Sequence, residues 1–202
     1  MPAILDNVFQ TESTLARESY NAARNATTTV TTPTGWTASF GPDNGGSTVT
    51  VRQYIFHRVA AGTETGNVTV SFGSDAAVTK MARIYRYRGT RTNANPFEAG
   101  NTSVGTGTTI SQPSVTTAGV NRLAVAYVFV SNDNALDAFV SATGGTWSES
   151  VAEYTTTLGN DGAIQAQQAT RLTAGTISGG TETQGIADPW GVRVAALIPI
   201  GG

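Results

Sequence analysis

With 202 residues, the chain has room for one all-β domain or two small ones, and no linker-like stretch favours two. Charged residues are only 13% of it while glycine takes 23 positions, a balance that excludes the Leu-, Glu- and Lys-rich make-up of an ordinary helical protein. A net charge of −2 without any basic stripe argues against a nucleic-acid partner, and the absence of cysteine excludes disulfides and thiolate metal sites.

Thr and Val recur in almost every segment, and their branched Cβ suits a pleated surface. Lys80 is the only lysine, so the cationic side chains are nearly all Arg, which favours forked pairing at interfaces between subunits or simply reflects the codon habit of the genome. Met1–Phe9 lacks a basic region followed by a long apolar run and reads as no secretory leader. No stretch approaches the ~18 apolar residues that span a bilayer as a helix, so no membrane partner is expected. The Asn-x-Ser/Thr triplets at Asn25, Asn67 and Asn101 are chance matches in a Thr-rich chain.

Residues 1–25 differ from the rest. Ser13 to Asn25 carries Leu15, Ala16, Ala22 and Ala23 with Arg17, Glu18 and Arg24, which predicts a short helix capped by Thr11 or Ser13, or an arm that orders against a neighbour. Residues 26–202 form the β domain. Thr27–Thr32 is a short strand ended by the turn at Pro33–Trp36, and Gly41–Gly46 is a strong loop. In Thr48–Ala60, Val49, Val51, Ile55 and Val59 share one face and Tyr54 and Phe56 the other, so this strand is covered on both sides or meets another subunit. Val68, Val70 and Phe72 alternate with polar residues, Lys80–Arg88 is a further strand, and residues 91–107 read as a long polar loop around Pro96 and Phe97. Then come Ser114–Thr117 and strands at Arg122–Val130, Trp147–Thr157, Ala163–Leu172 and Trp190–Ile200. About eight to ten short strands separated by turn signals predict an all-β, jelly-roll-like antiparallel sandwich with a short N-terminal arm or helix.

Few groups suit catalysis. A Ser-His-acid triad would need His57, the sole histidine, which lies inside the strongest strand pattern and reads as a hydrogen-bonded structural residue. There is no Gly-x-Ser-x-Gly elbow and no phosphate-binding loop before Lys80. Glu149 and Glu153 lie four apart on one expected strand, a spacing that a glycosidase pair or two solvated carboxylates would satisfy. Asp43-Asn44, Asn132-Asp133-Asn134 and Asn160-Asp161-Gly162 offer oxygen ligands for Ca²⁺ but equally make ordinary turns. The expectation is a protein without enzymatic activity, cofactor or metal. Trp36, Trp147, Trp190 and the tyrosines are candidate sugar-stacking rings, with the tryptophans equally readable as core plugs at the end of a sandwich.

The order of segments resembles a known group. Pro33-x-Gly35-Trp36-Thr37 precedes Tyr54-x-Phe56-x-Arg58-Val59-Ala60, a Thr63-Glu64 turn, Val68–Phe72 and a strand ending Tyr87-Arg88-Gly89. Thr116–Gly119 then leads to an apolar strand, and Trp190-x-Val192 opens a closing strand that ends Ala195–Pro199. Over roughly residues 30–200 this resembles the β-sandwich domains of bacteriophage structural proteins and some bacterial surface proteins. The polar, partly helical residues 1–25 depart from that pattern, which suggests an arm clasping a neighbouring subunit. The resemblance implies a structural protein of the virion, assembled in the host cytoplasm as a homo-oligomer: a capsid decoration or cement protein. Its contacts would involve Leu5, Phe9, Leu15, Arg17, Tyr20 and Arg24 of the arm, and Phe97 of the 91–107 loop. The alternative is a carbohydrate- or receptor-binding module of a tail or fibre, binding a surface glycan through the three tryptophans.

Overall fold

The computed structural model describes residues 10–20, 29–45, 51–60, 67–72, 78–91, 95–131, 136, 139–141, 147–156 and 162–201. Among them the chain is all-β. The strands are β1 (Gln10–Tyr20), β2 (Val30–Thr31), β3 (Thr37–Gly45), β4 (Val51–Ala60), β5 (Ser71–Phe72), β6 (Val78–Arg88) and β7 (Phe97–Ser111). They continue with β8 (Val115–Thr117), β9 (Arg122–Val130), β10 (Val140–Ser141), β11 (Ser148–Thr156), β12 (Gly162–Arg171), β13 (Gly175–Ile177) and β14 (Gly180–Leu197). All pairings are antiparallel. A four-stranded sheet runs β3-β4-β1-β6. A six-stranded sheet is built on β14, which takes β7 along one side and β10 then β9 along the other, with β12 and β11 beyond. Two small sheets pair β2 with β5 and β8 with β13.

The apolar pattern explains the layering. β9 is apolar at both parities because both its faces are covered. Its Val125 and Tyr127 pack against Ile55, Met81, Tyr85 and Tyr87 of the four-stranded sheet. Its Ala124, Ala126, Val128 and Val130 face the other way, onto Val115, Ile177 and Trp147. β4 is also covered twice, as its sequence predicts. Ile55 looks into the layer between the large sheets, while Tyr54 and Phe56 lie with Val30 and Trp36. Glycine is required where rings cross strands: a Cβ at Gly105 would sit 2.6 Å from the Trp190 ring and one at Gly191 2.0 Å from the Phe129 ring.

Polar links join the same two sheets. Arg193 of β14 forks onto Asp43 of β3, with Nε donating to Oδ2 at 2.9 Å and Nη2 to Oδ1. Its guanidinium lies 4.8 Å from the Phe40 ring centroid. Gln53 Nε2 donates to the Tyr127 carbonyl at 3.3 Å across the same layer.

Four sequence expectations are corrected. The helix within 1–25 is not formed over the described residues: Gln10–Tyr20 is a strand with β4 on one side and β6 on the other, Leu15 standing opposite both Ile55 and Arg83. A slot between two strands satisfies backbone groups on both sides and overrides a weak helical preference. Residues 41–45 of the expected loop belong to β3, which absorbs Gly41 and Pro42 through the register shift between Phe40 and Asp43. Most of the expected 91–107 loop is β7, whose pairing with β14 supplies the order that its own polar sequence does not. The closing strand also starts at Gly180, well before Trp190.

Removing one partner of a buried, forked ion pair strands the other charge. Arg193→Ala or Asp43→Ala is therefore expected to lower the unfolding free energy by ~3–5 kcal/mol, read from denaturant midpoints, and a loss below ~1 kcal/mol would show that the pair does not tie the sheets together.

Candidate assembly surface

A sheet edge carries a row of N–H and C=O groups with no strand to bond, and proteins blunt such edges with proline, charge or bulges. Among the described residues five strands have a neighbour on one side only: β3 and β6 in the four-stranded sheet, and β7, β11 and the two-residue β10 in the six-stranded one. β3 contains Pro42 and two register shifts. The sequence of β6 carries Lys80, Arg83, Arg86 and Arg88. β11 carries Glu149 and Glu153 and is interrupted by two register shifts. β7 differs in where its irregularities fall: its two register shifts against β14 lie beside Glu98 and beyond Gly107 and leave 99–107 in unbroken register. It is 15 residues long and has neither a proline nor a charged residue from Ala99 to Ser111.

The direction of its backbone groups follows from β14. The Pro189 carbonyl accepts the Ser131 N–H at 3.0 Å and so points to the β9 side. Alternation along an antiparallel strand then turns Trp190, Val192 and Val194 toward β7, where they meet Gly105, Ser103 and Asn101. The Thr102 hydroxyl donating to the Val192 carbonyl at 3.1 Å agrees with that direction. Gly100, Thr102, Val104 and Thr106 consequently present their backbone groups outward. The Thr102 N–H takes the Asn101 Oδ1 at 2.9 Å, a side-chain substitute for a neighbouring strand. Among the described residues, β7 has a backbone ladder with β14 alone. Beyond Gly107 the register shifts, with the extra residues on β14 and Gln184 Nε2 bonded to the Gly107 and Asp188 carbonyls. The straight open stretch is thus 100–107, and Val104 in its middle is 42% exposed.

The start of β7 is fixed by Glu98. Its Oε1 accepts the N–H groups of Ala118 and, at 3.1 Å, Gly119, and its Oε2 takes Nε of Arg122. This clamps the strand to the turn before β9.

The sequence-predicted candidates fall elsewhere. Phe97 is 5% exposed and packs its ring against Phe40 at 5.2 Å and His57 at 6.1 Å, so it is a core residue rather than a contact on a loop. Leu5, Phe9 and Arg24 lie outside the described residues. The backbones of Leu15, Arg17 and Tyr20 are inside the four-stranded sheet, in register with β6 and, for Leu15 and Arg17, with β4, and not on a detached arm. Trp36, Trp147 and Trp190 are 7%, 4% and 6% exposed, which leaves no ring face open to a sugar. The guanidinium of Arg58 lies 4.9 Å from the Trp36 ring centroid. A shallow cleft of about 470 Å³ lined by Ser111, Ser114, Val140, Ser178 and Thr181 has no aromatic residue among its described walls.

The weaker chemical candidates are also placed. His57 is buried, and its Nδ1 is 2.6 Å from the Ser39 hydroxyl. The register shifts between Glu149 and Tyr154 break the alternation on which a shared face for Glu149 and Glu153 rested. Asp43 is engaged by Arg193, and the Asn132–Asn134 and Asn160–Asp161 loops lie outside the described residues. Among the described residues no group of three His, Asp or Glu side chains is arranged to hold a metal ion. Comparison with known proteins gives no match to any family, curated protein or solved structure.

The β7 edge escaped the sequence reading because Gly, Thr, Ser and Asn also make loops. Its one legible signal is a run of uncharged, proline-free residues between glycines.

Two groups, the buried His57 and the half-buried Glu98, make stability depend on pH with the same sign. Burial lowers the His57 pKa from its ordinary 6.5. Burial pushes the Glu98 carboxyl up, but the Arg122 hydrogen bond and charge and the two backbone N–H groups outweigh it and leave the carboxyl below its ordinary 4.5. In both cases the unfolded chain takes up a proton before the folded one does, so the contribution is complete above the unfolded value and is lost as pH falls through the folded one. Denaturant midpoints are expected to decline below pH 6.5 and again below 4.5. His57→Gln should flatten the first decline and Glu98→Gln the second; midpoints indifferent to pH between 7 and 4 would contradict both assignments.

Proposed function

We propose that this chain is a structural protein of a bacteriophage virion, a capsid decoration or cement protein that acts through protein–protein contacts. In this reading its two large sheets pack as a jelly-roll-like sandwich. The observation that carries the proposal is the β7 edge. β3, β6 and β11 carry proline, charge or register shifts and β10 is two residues long, whereas β7 is long, with an uncharged stretch in unbroken register along 100–107. A long unblunted edge invites aggregation unless pairing is its purpose, and strand addition is a common way for assembly proteins to bind.

The virion setting comes from the resemblance of the segment order across roughly residues 30–200. A chain without cysteine suits assembly in a reducing host cytoplasm. On a repeating shell, many modest strand-edge contacts add up through avidity. Homo-oligomerisation belongs to the same reading. The burial of Trp36, Trp147 and Trp190 weighs against the glycan-binding alternative.

The test is retention on particles. Purified chain added to empty capsids of the phage that encodes it is expected to co-sediment with them. Thr102→Lys with Thr106→Lys puts charge on the open edge without touching the core and should weaken retention by at least ~10-fold. Absence of the chain from shells and particles in electron microscopy with antibody labelling would overturn the proposal. Full retention of the double variant would remove β7 from it.

A further inference from the structure

We infer that the β7 edge pairs with β7 of a second copy of this chain, antiparallel about a two-fold axis at Val104, so that the two six-stranded sheets become one. This rests on the assembly reading above and names its partner. The outward-facing positions are evenly spaced around Val104. A two-fold there sets Thr102 against Thr106 of the second copy, Val104 against itself, and Ser103 against Gly105. The sequence Thr-Ser-Val-Gly-Thr is therefore complementary to its own reverse.

Thr–Thr and β-branched cross-strand pairs are favourable, and like charges opposite one another are not. No residue between Ala99 and Ser111 is charged, so self-pairing meets no repulsion. The β6 edge, whose sequence carries Lys80, Arg83, Arg86 and Arg88, lacks this freedom from like charge. Val104, 42% exposed in the single chain, would be covered by its counterpart. Among the described residues the local competitor is Asn101 Oδ1, which holds the Thr102 N–H and must release it to the incoming strand. An isologous contact of this kind closes on itself and yields a dimer instead of a fibre.

Sedimentation velocity of the full chain is expected to show a monomer–dimer equilibrium. Val104→Lys puts two ammonium groups across the axis and should raise the dimer dissociation constant at least ~10-fold, with the circular dichroism spectrum unchanged. Because the chain has no cysteine, Val104→Cys gives an unambiguous readout: mild oxidation should link two copies, whereas Thr170→Cys on the central strand β12 should not. A native chain that stays monomeric at ~100 μM, a dimer indifferent to Val104→Lys, or no cross-link at residue 104 would each overturn the inference. A monomer that still binds shells through β7 would overturn self-pairing alone. A dimer that depends on Val104 but binds no particle would keep self-pairing and sink the virion reading.

Discussion

An extended backbone carries hydrogen-bonding groups on two sides, and β14, the longest of the described strands, has partners on both. β7 takes one side of Gly180–Leu197, while β10 and then β9 take the other. The same strand sends Val192, Val194 and Ala196 into one apolar layer and Ala195 and Leu197 into the other. It also contributes Arg193, whose fork onto Asp43 sets how the four-stranded sheet lies on the six-stranded one. β12 and β11 extend the sheet on the far side of β9. On the near side β7 is the last strand among the described residues, and its outward groups have no strand partner there.

Burial is balanced with polar contacts rather than with apolar side chains alone. Gln167 Nε2 is shared between Gln165 Oε1 and Glu182 Oε2 at 2.8 Å each, and its Oε1 accepts the Phe139 N–H at 2.7 Å. A buried polar network of this kind tolerates few changes, because each unmet group costs about 1–3 kcal/mol. The Glu98 clamp has the same character at the start of β7. These contacts hold β7 and its neighbours at fixed positions, and a rigid edge loses less entropy on pairing than a mobile one.

The sequence is legible where side chains alternate between environments that differ. β9 could be read to the residue because both its faces are buried, and β4 could be read as doubly covered because Ile55 and Tyr54 point to different apolar layers. Legibility fails where order comes from a distant partner. Leu15, Ala16 and Arg17 suggest a helix by local preference, yet their backbone is held between Gln53–Ile55 and Met81–Arg83. Gly41–Asn44 suggests a loop, because Asp43 finds its partner 150 residues away. Residues 97–107 suggest a loop because the pattern that pairs them belongs to β14, and an edge strand with an exposed surface has no apolar alternation of its own. The candidate surface was illegible for the same reason: an edge is defined by what fails to pair with it, and only the assembled sheet reveals that.

Amide hydrogen exchange along β7 tests most directly whether this edge is open and then used. In dilute solution the Ser103 and Gly105 amides, bonded to β14, should exchange slowly, while those of Val104 and Thr106 should exchange fast; both outward amides should become protected on association. Slow exchange at Val104 and Thr106 in the dilute monomer would mean that the edge is already covered, and the account built on it would fail.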